Sequence, residues 1–463
     1  MAPRVTITTL GAATLLAASL VLAGCGNTYR PVVSAISPVG PASQPTKYAV
    51  AVSSPSPTAN GLATFVDFSG DTVLSTPSIL SNPSYFAASN AGNQGFAINA
   101  SGSLNEFNLN NPAALLTSDV NQTTLNASTH PITLSAITPS GSQQTLFIPE
   151  ATGSQIAVLS ANGAPALLQN LAVAANPVYV VGADQTPRVY AISQGTGGNG
   201  VVSAIESINA TSLSVSASIP VGVKPVYGVM TSDTRRAFIL NQGSGTVSVI
   251  NVPSNALDTT TPVIPAVGTL GLNPVWADLS PVTSELVVLN QGDGVHAGSL
   301  SIINIPLCSS NTQVTNPNCN AANPVDATGF GQVIATVNVG VSPQMVSVLR
   351  DGSRAYVVNL LDSTGTCNAG EGSVTVVNLV TGVASSTICG ISTVAGTAGV
   401  NATPGAVYGH PNTVAATTGT PTGKVYVTSA DSEYMTIIYT DTDTVQTHIP
   451  LQGLGVRVVV TSP

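Results

Sequence analysis

A polar residue followed by proline and an alternating apolar run recurs along the chain: Asn82-Pro83, His130-Pro131, Asn176-Pro177, Lys224-Pro225, Asn273-Pro274, Ser342-Pro343 and His410-Pro411. Successive prolines lie 48, 46, 48, 49, 69 and 68 residues apart, so the chain is an array of similar units, two of them enlarged. A fixed period of this length restricts the fold to an architecture in which each unit buries its apolar face against its neighbours.

Four strand candidates fill each unit. After Pro225 they are VYGVM, RAFIL, TVSVI and VIPAV; after Pro343, MVSVL, AYVVN, SVTVV and SSTIC; after Pro411, TVAAT, KVYVT, MTIIY and VQTHI. Val and Ile at period two give each strand an apolar face, and Gly, Asn or Asp-Gly between the runs supplies turns. Four short antiparallel strands per unit make a propeller blade. A parallel β-helix uses shorter repeats, and a string of sandwich domains needs about 100 residues for each. The ends follow the same plan: Val456 to Val460 reads as a first strand, while KYAVAV, LATFVDF and TVLSTPSI, between Lys47 and Leu80, read as second, third and fourth strands that lack a first. A blade built from both ends closes the ring and removes the unpaired edges that invite aggregation. The expected fold is therefore all-β, a single β-propeller over residues 46–463 with four-stranded blades. Eight blades are counted, and seven is the alternative if a unit between residues 83 and 176 is misread.

The repeat resembles the YVTN-type β-propeller, which belongs to the wider lactonase-like family. The motifs that carry the resemblance are VGVSPQMVSVLRDGSRAYVVN with SVTVVNLVTG at 339–382, VGVKPVYGVM with AFILNQGSGTVSVINV at 221–252, and KVYVTSADSEYMTIIYTDTD at 424–443. The first three units match more loosely. Members of that family range from lactone hydrolases to surface proteins of unknown role, so the resemblance implies an architecture and no single activity.

The first 24 residues carry one charged side chain, Arg4, then an apolar stretch from Leu10 to Leu22, and end in Leu22-Ala23-Gly24-Cys25. This is the pattern of a signal peptide. Its apolar part, about 13 residues or roughly 20 Å of helix, is shorter than the ~20 residues of a stable span. Small residues followed by cysteine resemble the bacterial lipobox, which implies cleavage before Cys25, diacylation of its thiol and acylation of the new amino group. Lipid then anchors the chain, each buried CH₂ contributing about 0.8 kcal/mol. An ordinary secretory signal is the alternative. Gly26 stands where Asp would signal inner-membrane retention, which makes the outer membrane the expected address. Residues 25–45 read as a lipidated tether, rich in Pro, Ser, Val and Gly and almost free of charge. The remaining cysteines fall into two local pairs, Cys308 with Cys319 and Cys367 with Cys389, inside the enlarged units. They are expected as disulfides of an oxidising compartment, with four reduced core thiols the alternative.

With 11 Lys+Arg and a formal charge of -9, the chain lacks the basic face that nucleic acid or an acidic lipid surface requires. It shows no Gly-rich phosphate loop, nucleophile elbow or zinc-protease helix. His130, His296, His410 and His448 are dispersed, and Asp293 sits in a Gly-rich turn without the spaced carboxylates of a calcium loop, so no metal or cofactor is expected. The residue before each proline enters the innermost strand. Asn82, His130, Asn176, Lys224, Asn273, Ser342 and His410 therefore form a candidate binding ring at the channel mouth, with Lys224 and the histidines suited to a carboxylate or phosphate. The competing reading is that these residues cap a turn. No catalytic residue is assigned. The expected function is that of a lipid-anchored, monomeric binding or scaffold protein of the bacterial envelope, facing the periplasm or the surface. Its partners would be the membrane, through the lipid, and an envelope protein or extracellular polymer. The alternatives are a lactonase-like hydrolase of a sugar lactone, which needs a general base and an oxyanion or metal stabiliser, and a non-catalytic subunit of an envelope redox complex.

Overall fold

The structure, a computed structural model, describes residues 48–461 apart from 90–91, 100–101, 110–119, 127–129, 140–142, 162, 207–212, 266–272, 281–282, 307–328, 392–404 and 418–422. These fall within the compact unit Thr46–Pro463. The leader, Cys25, the tether and the Cys308/Cys319 pair lie outside the described residues.

One blade shows the pattern of all. Pro177–Val181, Arg188–Ser193, Asn199–Glu206 and Ser214–Val223 pair in chain order, each antiparallel to the last. Among the described residues the same four-strand path recurs in eight blades, which we number from the one holding both ends of the fold. Blades 6 and 7 are joined by a single strand, Gln332–Val348, whose first part is the outer strand of blade 6 and whose last part is the inner strand of blade 7. The inner strands Leu454–Val460, Pro83–Ala88, Ser135–Ile137, Pro177–Val181, Pro225–Met230, Pro274–Ser280, Gln332–Val348 and Pro411–Ala416 each lie against the next, and the last returns to the first. They surround one central channel.

The ring closes as the sequence pattern anticipates. Tyr48–Ser54 pairs with Leu454–Val460, from Ala49 opposite Val460 to Ser54 opposite Leu454. Ser53 Oγ donates to the Leu451 carbonyl at 2.8 Å, and the Tyr48 N–H donates to Thr461 Oγ1 at 3.0 Å.

The core lies in layers between blades. Tyr190, Ile192 and Val202 of blade 4 pack on Met230, Ala237 and Ile239 of blade 5, and Tyr426, Met435 and Ile437 of blade 8 pack on Ala49, Ala51 and Val458 of blade 1. Each such side chain contributes about 1.5–3 kcal/mol on burial, which explains the period-two Val and Ile. The asparagine of the Tyr-Val-x-Asn strand has a separate task. Asn241, Asn290 and Asn359 are wholly buried, and each Nδ2 donates to two hydroxyls on the next strand: Thr246 and Ser248, Ser299 and Ser301, Ser373 and Thr375, all at 2.9–3.2 Å.

Candidate functional site

The residues before the prolines sit where the inner strands begin, around what we term the proline end of the channel. Asn82, His130, Asn176, Lys224 and Ser342 hold φ between 48° and 53°, and Asn273 holds 28°, all left-handed conformations that turn the chain into the strand. Asn176 Nδ2 donates to the Gly195 carbonyl at 2.6 Å, and Asn273 Nδ2 to that of Gly292 at 2.7 Å. The carbonyls of Asn176, Lys224 and Asn273 accept from the N–H groups of Gln194, Gln242 and Gln291 at 2.9, 3.0 and 2.9 Å. Each turn is thereby fastened to the hairpin between the second and third strands of its own blade. The Asn82, His130, Asn176 and Lys224 residues are exposed, whereas Asn273, Ser342 and His410 are half-buried. His410 differs in that Gly409 takes the positive φ, 79°. Its Nδ1 lies 2.6 Å from Asp431 Oδ2, and its Nε2 lies 2.9 Å from the Gly370 carbonyl. Burial opposes charge on His410, but the Asp431 and Gly370 contacts outweigh it and raise its pKa.

A second set of side chains lies deeper. Two residues beyond the proline stand Tyr85, Tyr179, Tyr227 and Trp276, and Arg457 stands two beyond Gly455 in the strand that lacks a proline. A β-bulge follows the first residue of each of these strands, between Pro83 and Tyr85, Pro177 and Tyr179, Pro225 and Tyr227, and Pro274 and Trp276. The same shift separates Gly455 from Arg457. A bulge re-aims the side chains that follow it, and here the aromatic rings and the guanidinium meet. Tyr179 and Tyr227 have ring centroids 4.7 Å apart, and Tyr227 stacks on Trp276 at 4.1 Å and 17°. Arg457 Cζ lies 4.2 Å from the Tyr85 centroid and 5.3 Å from that of Trp276, so the arginine reaches from blade 1 across the channel to blade 6. Its Nε is buried and meets no acceptor, and no carboxylate pairs with it, among the described residues. Burial pushes the Tyr179 and Tyr227 phenols up, so both stay protonated and remain hydrogen-bond donors at neutral pH.

Tyr85, Tyr179, Tyr227 and Arg457, with Trp276 stacked behind Tyr227, floor a cavity of about 430 Å³ walled by Ser89, Ile137, Gly182, Met230, Asp278 and Val460, all toward the end of their inner strands. The cavity therefore opens at the distal end of the channel, and the ring named from the sequence stands at the opposite, proline end. Asp278 is held by two backbone amides, its Oδ2 accepting from the Val348 N–H and its Oδ1 from that of Leu279, both at 2.8 Å. Burial outweighs these bonds and raises its pKa from 3.8 to about 6. The site thus combines one guanidinium without a counter-ion, phenol donors, flat apolar faces and one titrating carboxyl. Among the described residues no three His, Cys, Asp or Glu side chains gather as metal ligands. The sequence signal for this cluster was the aromatic or arginine two positions beyond the turn.

No protein-family model matches the sequence, and no curated protein matches it. Solved structures match the fold. Apo AztD from Citrobacter koseri is 10% identical with a TM-score of 0.56, covering 90% of this chain and 97% of that one. The dihydro-heme d1 dehydrogenase NirN is 12% identical with a TM-score of 0.57, covering 89% and 74%. The periplasmic gluconolactonase PpgL of Pseudomonas aeruginosa is 16% identical with a TM-score of 0.50, covering 74% and 95%. The likeness is one of fold, to β-propellers whose activities differ.

Proposed function

We propose that the chain is a lipid-anchored envelope protein that binds a ligand group at the distal end of its channel. The cavity floored by Arg457 carries this reading: it is concave, has the size of a small-ligand site, and a guanidinium, phenols and one carboxyl converge on it. The address is supported by Leu22-Ala23-Gly24-Cys25 and by the Cys367–Cys389 disulfide, with Cα atoms 5.3 Å apart, a bond of the kind that persists in an oxidising compartment. Lipid on Cys25 holds the chain at the outer membrane, and the tether leaves the propeller free to meet an envelope protein or extracellular polymer that presents the group.

Photo-crosslinkers replacing the half-exposed Val460 at the distal mouth and Lys224 at the proline end, on intact cells, test this. Capture of one partner from position 460 alone is the expected result. Capture from position 224 alone would move the site to the proline end, and capture from neither would remove the binding reading. Labelled palmitate should enter the native chain and not the Cys25→Ala variant.

A lactonase-like hydrolase is the second reading, and Asp278 favours it. A carboxyl with its pKa raised to about 6 beside a cavity is suited to act as a general base. Turnover of sugar lactones by the purified protein, lost in Asp278→Asn, would displace the first reading.

A further inference from the structure

We infer that the distal cavity selects a small organic carboxylate, its anionic group seated on the Arg457 guanidinium and its body lying against Tyr179 and Tyr227. This rests on the binding reading above and names the ligand class for that same cavity. Arg188 pairs with Glu206, Arg236 with Asp258 and Arg354 with Asp443. Arg457 is half-buried and, among the described residues, meets ring faces and no carboxylate. Cation–π contacts stabilise a guanidinium by about 0.5–2 kcal/mol, and they use its faces. They leave the planar N–H rim, with its buried Nε, without acceptors. A buried N–H in that state is unfavourable, and an incoming carboxylate relieves it, because the guanidinium fork matches two carboxylate oxygens.

The charge balance of the cavity chooses among anions. Arg457 is the one cation among its lining residues, and Asp278 is an acid. A phosphate dianion would find a single positive charge and a neighbouring carboxyl, whereas a carboxylate monoanion is matched one to one. The phenols of Tyr179 and Tyr227 stay uncharged, and their rings, tilted at 41° to each other, offer apolar faces to a flat or sugar-sized body.

The chain has one tryptophan, Trp276, and it lies in the cluster, so its fluorescence reports on the site. The full chain is titrated with benzoate and galacturonate, and with the neutral counterparts benzyl alcohol and galactose, with calorimetry as a second readout. The acids should bind saturably and at least about tenfold more tightly than their counterparts, since hydrogen bonds to a charged group are worth about 1.5–3 kcal/mol. Arg457→Met should weaken the acids by about tenfold or more, with Arg457→Lys between it and the native chain. Asp278→Asn should tighten them at pH 7.5 by removing a like charge. Chemical denaturation establishes which variants fold; if Arg457→Met does not, the acid-to-neutral ratio on the native protein and the Asp278→Asn shift decide. Equal binding of acids and neutral compounds overturns the inference and leaves the binding reading standing. No response to any of the four overturns the inference, and crosslinking from position 460 then decides the binding reading by itself.

Discussion

Asp278 converts its burial into a pH dependence of stability. Its pKa is 3.8 when free and about 6 in the fold, so between these values the folded chain holds a proton that the unfolded chain has released. Stability from this residue is therefore highest below about pH 4 and falls as pH rises toward and past 6. The Asp278→Asn variant lacks the titration. The stability difference between variant and native chain should shift in the variant's favour by ~2 kcal/mol from pH 4 to pH 7, measured by urea denaturation at each pH. An unchanged difference would mean that the carboxyl is solvated. At this scale the sequence was legible in part. It gave the residue before each proline its place at the start of an inner strand, because a turn residue followed by a ring of fixed φ can occupy few conformations. It did not give which end of the strand holds the cavity, because period-two alternation is the same read from either end. Tyr85, Tyr179, Tyr227, Trp276 and Arg457 were visible as letters two places further on. Their convergence depends on a bulge, which adds one residue without leaving a mark in composition.

Among the elements, strands were read most faithfully where apolar alternation is strict, as in AYVVN within Arg354–Leu361 and MTIIY within Tyr434–Tyr439. They were read least well at the outer edges. Among the described residues the run VIPAV pairs through Val263–Pro265, and a separate short strand, Ala256–Leu257, shares its neighbour. Outer strands face solvent on one edge, so neither packing nor a full ladder fixes their length. Blade 7 compensates with a covalent tie: Cys367, in the loop between its second and third strands, bonds to Cys389 of its fourth strand, 22 residues on. The loop reaches the next blade through the Gly370 carbonyl and His410 Nε2 at 2.9 Å. Replacing both cysteines with Ser should lower stability by about 3 kcal/mol, the value for closing a loop of this order. The loss should appear as a lower midpoint of denaturation, with hydrogen exchange rising first around residues 361–373 and 410. Exchange rising evenly over all blades would show that the bond does not act locally.

For the whole molecule, one strand pairing turns an open array into a ring. Without Leu454–Val460 the edge of Tyr48–Ser54 is bare, and so are Ala49, Ala51 and Val66 that pack beside Val458. A chain ending at residue 453 should aggregate or lose its cooperative transition, and a synthetic peptide of Leu454–Val460 added during refolding should restore monomeric protein, followed by light scattering. A soluble, cooperative truncated chain would show that the other blades close the ring without it. Closure was the most legible global feature, since a unit missing its first strand at one end and a lone first strand at the other have one economical solution.

The strand that shuts the ring also carries Arg457. An occupant gripping that guanidinium, as proposed above, would tighten its hold on the final strand and so act as a latch on the whole disc. By linkage, a ring strained open at this seam releases its occupant, and a ring with its occupant in place resists opening. A chain that stops short in synthesis or loses this strand to proteolysis lacks Arg457, so under the carboxylate proposal it would hold no ligand, and occupancy would certify a finished molecule.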